Sequence, residues 1–398
     1  MNKLGDIDER LKRADWLMRP ETQRMLALLD GAEGRTRVVG GIVRDTLLEL
    51  PRANSDIDMA TELRPEEVIL RAERARLSAY PTGIEHGTVT LRLDRLTAEV
   101  TTLREDVETD GRHAVVRFGT DWRQDALRRD FTLNALYAGM DGTLFDPLHG
   151  VEDCLARKVR FIGKPAERIA EDRLRVYRFF RFSASHAGEQ FDPEGLAACA
   201  AAAGTLGRLA AERVGAEMHR MLALPRIALR VLAMREAEVL PLPEAMTRLL
   251  HGYERRARKP EYAARLAILM SEIGAERLQA MWRLSNDDIG TAEAILSAAR
   301  LIAEFKLNEA AYRHPGALAD GIDVAATLSN WGDAGKLAVV EQLQRLDVPH
   351  FPIRGNDLIS LGMPPGRELG VELERLERAW IASGFALDRA ALLAMVGR

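Results

Sequence analysis

The sequence predicts an α+β protein, a mixed α/β head followed by helical domains. Three observations carry this. Between Arg35 and Ala60 a β-branched run meets a Gly-Gly pair, a helical segment, a turn and a second strand. From His86 to Leu103 polar and apolar residues alternate in two runs around Asp94-Arg95, as in a hairpin. From Pro165 onward the alternation stops, and helical periodicity rich in Ala, Leu, Arg and Glu continues to the end.

The bulk properties fit a soluble, multi-domain chain. It has 398 residues, 47% hydrophobic and 29% charged, too many for one ordinary domain. No apolar run reaches the ~20 residues of a membrane span. The first residues, MNKLGDIDERLKRADW, lack the apolar core of a signal peptide. Cys154 and Cys199 stand far apart without a CxxC pair, which argues against a zinc site or a disulfide framework. The expected compartment is the cytosol. A net charge of −4 means that any nucleic-acid surface must be a local basic patch.

Taken in order, residues 1–34 read as helical, with Trp16, Leu17, Met25, Leu26, Leu28 and Leu29 as the apolar set. Then Val38-Val39 leads to Gly40-Gly41 and a helix over 42–50. The glycines let backbone N–H groups approach an anion at the start of that helix. Arg44 reaches the same anion as a bidentate fork. Residues 51–55 form a turn. Asp56-Ile57-Asp58 opens a strand, where side chains two apart share a face. Two carboxylates so placed call for a hard divalent cation with oxygen ligands, Mg²⁺ above all. A lone GG is a tight turn and a lone DxD a solvated one. In this order they form a phosphate cradle beside a metal site, the layout of nucleotidyl or phosphoryl transfer.

Pro65 to Ser78 reads as a helix with Pro in its first turn. Glu99 is the one acid in the returning strand of the hairpin, LTAEVTTL. By pattern alone it is a solvent-facing residue. Arg104 to Asp125 is polar, Gly-punctuated and without clear period, and reads as a long mobile loop of the kind that carries function. Asp130 and Asn134 in RRDFTLNAL are i, i+4 neighbours if helical. His149 reads as structural, since no second ligand stands at metal spacing. Pro165 to Phe182 reads as one long helix with Arg168, Asp172, Arg175 and Arg178 on one face. The span Arg157 to Phe182 holds nine basic residues against Glu167, Glu171 and Asp172, a locally basic stretch. Residues 226–345 read as all-helical, broken near Pro241, Pro260, Gly290 and Pro315, and an amphipathic helix covers Leu369 to Trp380.

GGIVRDTLLEL followed by SDIDMAT resembles motif A of the nucleotidyltransferase superfamily, in its tRNA nucleotidyltransferase/poly(A) polymerase branch. EVTTLRED resembles the segment with that family's third catalytic acid, RRDFTLNAL its motif B, DPLHG its motif C, and EDRLR its motif D. The likeness is strong from Val38 to about Glu217 and loose in the tail, and it is to the class II CCA-adding enzymes. It implies a palm head over 1–150, a helical neck over 151–225 that recognises the base, and a tRNA-binding body and tail over 226–398. It implies transfer of CMP and AMP from CTP and ATP to a tRNA 3′ end, with loss of pyrophosphate. Asp56 and Asp58 would hold Mg²⁺, with Glu99 as the third acid. Gly40, Gly41 and Arg44 would cradle the triphosphate. Arg129, Asp130 and Asn134 would hold the sugar–phosphate part. Asp172 and Arg175 would read the base, supported by Arg178 and Arg181.

Relatives that add only CC or only A, and bacterial poly(A) polymerases, share motif A. The arginine-rich signature expected of the last after the DxD strand is missing. A noncatalytic RNA-binding protein keeping the fold is the non-enzyme alternative, against which Asp56, Asp58, Arg129 and Asp130 argue.

Overall fold

The computed structural model describes residues 3–51, 56–110, 113–188 and 190–396. It divides into two compact units. The first runs to Leu209 and includes Met234–Leu240. The second holds Ala210–Ala233 and everything from Pro241.

The first unit opens with three helices, α1 (Lys3–Lys12), α2 (Asp15–Met18) and α3 (Pro20–Leu28). Leu17, Met25, Leu26 and Leu29 are buried, as their pattern predicts. Strand β1 (Thr36–Val39) ends at Gly40, where φ is +78° and ψ −128°. Only glycine takes that conformation without strain, and it turns the chain into α4 (Gly41–Leu47). The turn expected over 51–55 falls largely on 52–55, outside the described residues. Strand β2 (Ile57–Thr61) buries Ile57 and Met59 and leaves Asp58 exposed between them. Helix α5 spans Pro65–Arg74, shorter than expected, because Ser78 already begins β3 (Ser78–Gly83).

The hairpin is where the alternation places it, with β4 over Thr88–Leu93 and β5 over Leu96–Thr102. The stretch read as a loop is instead a second hairpin, β6 (Arg104–Asp110) with β7 (His113–Phe118), followed by α6 (Trp122–Leu127). The Asp121 carboxylate caps α6 by accepting from the N–H groups of Arg123 and Gln124 at 2.8 and 3.2 Å. Two short strands, β8 (Tyr137–Ala138) and β9 (Leu144–Phe145), complete a seven-stranded sheet of order β3-β4-β5-β2-β1-β8-β9. The β2–β5 pair is parallel and its register sets Asp58 beside Glu99. Strand β1 runs antiparallel to both β2 and β8.

Helix α7 (Gly150–Leu155) follows, its first N–H groups capped by Asp146 at 2.9 Å. His149 sits at its start with φ +57°. A Cβ on Gly150 would lie 2.2 Å from the Thr132 carbonyl oxygen, so only glycine fits against this segment. The expected long helix is two, α8 (Pro165–Glu171) and α9 (Arg175–His186). Asp172 breaks it, extended at φ −146°, with its carboxylate accepting from Leu174 N–H at 3.1 Å. Asp favours such helix ends because its short side chain competes for backbone donors. Phe131, Phe161, Phe179 and Phe182 pack together, the 161–179 pair stacked at 5.4 Å. Backbone bonds Thr132 N–H to Arg160 O and Ile162 N–H to Asp130 O, each 3.0 Å, tie the same segments.

The regular elements of the second unit are all helices among its described residues. Arg265, fully buried, donates to the Leu222 and Pro225 carbonyls at 2.6 and 2.9 Å and to Glu254 at 2.9 Å. Gly290 does not break a helix, since Asn286–Ala303 runs through it. The tail helix spans Arg367–Ala382 and buries Leu376 and Trp380. No helix among the described residues is long and apolar enough to cross a membrane.

Candidate active site

A cleft of about 870 Å³ opens in the first unit. Its wall brings together eleven of the sequence-predicted residues: Gly40, Gly41, Arg44, Asp58, Arg129, Asp130, Asn134, Asp172, Arg175, Arg178 and Arg181. Asp56 and Glu99 do not line it, but Glu99 is tied electrostatically to both Asp58, which does, and Asp56. Burial pushes the Glu99 carboxyl above its ordinary range, and the charges of Asp58 and then Asp56 push the same way. An acid whose proton affinity is raised by two neighbouring carboxylates marks a place for a cation. Among the described residues no three His, Cys, Asp or Glu side chains close into a full metal cage.

The lining is mostly basic. Seven arginines, at 44, 104, 128, 129, 175, 178 and 181, face four aspartates, at 45, 58, 130 and 172. The excess of arginine over aspartate leaves the lining net positive, which favours an anionic ligand. Five of these lining residues are not among the sequence-predicted site residues: Asp45, Pro51, Arg104, Arg128 and Phe182. Phe182 carries a legible signal only in hindsight of the fold. Its ring lies under the guanidinium groups of Arg181 at 4.1 Å and of Arg44 and Arg178 at 5.3 Å each. Cation–π attraction lets like charges gather there.

A buried polar chain crosses the cleft. Arg178 grips Asp130 Oδ2 with two nitrogens at 2.7 and 2.6 Å. Asn134 Nδ2 donates to Asp130 Oδ1 at 3.0 Å and its Oδ1 accepts from Arg44 at 2.6 Å. The expected Asp130–Asn134 pairing therefore holds, though on a 3₁₀ turn over Thr132–Asn134. Burial would raise the Asp130 carboxyl, but Arg178 and Asn134 hold it below the usual carboxylate range.

Arg129 is turned inward, onto Asp125 Oδ2 at 3.0 Å and the Tyr137 hydroxyl oxygen at 3.1 Å. Tyr137 itself donates to Asp125 at 2.9 Å. Against burial, the charges of Arg129 and Arg128 keep the Asp125 carboxyl at about 2. The arginines of the broken helix also have definite partners. Arg168 donates to the carbonyls of Arg128 and Arg129 at 2.7 Å each. Arg175 donates to Glu171 at 2.6 Å and to the carbonyl oxygens of Arg168 at 2.8 Å and Arg128 at 3.3 Å. The basic stretch is thus less uniform than its composition suggests: Lys158, Arg160 and Lys164 pair with Asp192, Asp153 and Glu167, while Arg175, Arg178 and Arg181 line the cleft.

Residues 36–160 match the family model of the poly A polymerase head domain. Over 377 residues the chain is 33% identical to "CCA tRNA nucleotidyltransferase 1, mitochondrial" of Danio rerio, an alignment that spans 91% of this chain and 87% of that one. It is 31% identical to the "CCA-adding enzyme" of Limosilactobacillus fermentum, over 94% of this chain and 95% of the relative. The crystal structure of the Bacillus stearothermophilus CCA-adding enzyme in complex with CTP superposes with a TM-score of 0.77 at 26% identity, covering 95% of this chain and 97% of that one.

Proposed function

The chain belongs to the CCA-adding tRNA nucleotidyltransferases, and on that premise we propose how its own residues divide the work. The reaction is addition of CMP and AMP, from CTP and ATP, to the 3′ end of tRNA without a nucleic-acid template, releasing pyrophosphate. The observation that carries the assignment of residues is the cleft, where Asp58 of the central strand β2 shares one lining with seven arginines.

Asp56, just before β2, and Asp58, near its start, would hold Mg²⁺, and Glu99 would complete the acidic group. Bound there, the metal ion lowers the cost of charge on the attacking and leaving oxygens. Gly40 donates its N–H to the Leu136 carbonyl at 3.0 Å, so the cradle for phosphate begins at Gly41 and includes Arg44. Arg129, Asp130 and Asn134 set the floor under the sugar and phosphates. Asp172 and Arg175 present an acceptor and a donor, the complement of the edge that cytosine and adenine share. Functionally, residues 1–150 form the catalytic head, 151–225 the base-reading neck, and 226–398 the part that holds tRNA. Both cysteines are buried and unpaired, which suits a reducing compartment, the cytosol.

The test is incorporation of labelled CTP and ATP into tRNA trimmed of its CCA end, with and without Mg²⁺. Addition of a complete CCA that stops there supports the reading. Long runs of A would favour a poly(A) polymerase, and absence of any incorporation would leave an RNA-binding protein.

A further inference from the structure

Arg44 and Asp45 are consecutive on α4, yet they are bonded: Arg44 Nε and Nη2 lie 2.9 and 2.8 Å from Asp45 Oδ1. Adjacent helical side chains point about 100° apart and do not ordinarily meet. Something outside the helix must turn Asp45. His186, in the last turn of α9, places Nε2 3.0 Å from the same Asp45 oxygen. An ionised carboxylate only accepts, so Nε2 carries the proton and donates. Against burial, His186 and then Arg44 keep the Asp45 carboxyl below its usual range, so Asp45 is ionised at neutral pH. The other ring nitrogen, Nδ1, lies 2.5 Å from Ser185 Oγ, which is itself 3.1 Å from the Arg181 carbonyl oxygen. The imidazole is therefore fixed at both ends, and it is buried.

We propose that His186 is a positioning residue for the incoming nucleotide: by holding Asp45 it aims the Arg44 guanidinium at the triphosphate. This rests on the reading of the cleft given above. Arg44 is restrained from one side by Asp45 and from the other by Asn134 at 2.6 Å. Arg44 and Asp45 line the cleft and His186 does not, so His186 acts through them. Arg44 sits at the Gly40-Gly41 turn rather than beside Asp172 and Arg175, so the clamp serves every nucleoside triphosphate alike. It strengthens phosphate binding without choosing the base.

The test compares three variants in the full-length chain. Loss of a hydrogen bond to a charged group is worth about tenfold in affinity. His186→Leu should therefore weaken CTP and ATP to a similar extent, about tenfold each, in equilibrium dialysis without tRNA. The same rise should appear in KM, with kcat and the CTP-over-UTP preference little changed. Gln carries its amide nitrogen at the reach of the ring Nε2, and His186→Gln should bind within about threefold of the original. His186→Asn is polar but too short, and should behave like His186→Leu. If Leu proves unstable, the Gln–Asn comparison still decides, with melting curves as the control for folding. Unchanged nucleotide binding in His186→Leu, or equal losses in folded Gln and Asn variants, would overturn the clamp. A wild-type chain that incorporates no CMP into trimmed tRNA would instead count against the proposed function, since dialysis reads the clamp independently.

Discussion

Asp58 and Glu99 are register partners across β2 and β5, the parallel pair of the large sheet. Neighbouring strands run about 5 Å apart, so a residue on one strand and its partner on the next share a face at close range. The consequence is read directly in Glu99, whose carboxyl is raised first by burial and then by Asp58 and Asp56. One acid alone in an alternating strand becomes the third member of a group through pairing.

Asp56→Ala or Asp58→Ala should cut incorporation of both nucleotides by roughly a thousandfold or more, as metal stabilisation of transferring phosphoryl oxygens is worth several kcal/mol. Both aspartates are exposed, so the melting temperature should hardly move. Glu99→Gln should be milder, at about ten- to a hundredfold in kcat. Near-normal turnover of either Asp variant in Mg²⁺ would remove the acids from the mechanism.

Base choice should rest on Asp172 and Arg175. Cytosine and adenine offer an amino donor beside a ring-nitrogen acceptor, and uracil and guanine the reverse. A wrong base would leave the acid and the guanidinium facing like partners, a strong ground for rejection. Asp172→Ala should lower the ratio of kcat/KM for CTP over UTP on trimmed tRNA while metal dependence stays. An unaltered ratio in both Asp172→Ala and Arg175→Ala would reduce the two residues to helix architecture.

Asp125 should set part of the acid stability. Its carboxyl falls from 3.8 unfolded to about 2 folded, a difference worth about 2 kcal/mol. A depressed pKa stabilises above the unfolded value, so this contribution is complete above about pH 4 and is lost as pH falls toward 2. Asp125→Asn should lower stability at pH 7 by about 3–5 kcal/mol, because Arg128 and Arg129 lose a buried partner. Denaturation curves for the variant should also lack that share of the slope between pH 4 and 2.

Gly40→Ala separates conformation from contact. The nearest atom to a Cβ there is the Asn134 carbonyl oxygen at 3.8 Å, so there is room, but φ is +78°. The strain should cost about 1–3 kcal/mol and raise KM for both nucleotides. Gly290→Ala, in open space within a helix, should be neutral or stabilise by up to about 1 kcal/mol. Equal effects on denaturant midpoints would count against backbone strain at Gly40.

The motifs nearest the chemistry were legible because their signals are local. Gly40-Gly41, Asp56 with Asp58, and the alternation around Glu99 each depend on neighbours within a few residues. What escaped depends on partners far away in sequence. Nothing near Asp45 announces His186, 141 residues away, and nothing near Asp130 announces Arg178, 48 away. The β6–β7 hairpin is hidden because β6, REDVETD, is mostly charged and shows no polar–apolar alternation. The break at Asp172 was missed because helical periodicity continues through it, and only the capping chemistry of an aspartate gives it away.

That break ties two properties of the molecule together. Asp172 holds the Leu174 N–H through its carboxylate at the start of α9, and Arg175 is braced on the Arg128 and Arg168 carbonyls. On the proposed base-reading role, an engineer who exchanged these two side chains to recode the enzyme for another nucleotide would also unfasten the scaffold that presents them. Lengthening Asp172 to Glu moves the carboxylate one methylene away from its backbone donor. A new alphabet at this cleft therefore calls for a redesigned helix junction, with the side chains chosen afterwards.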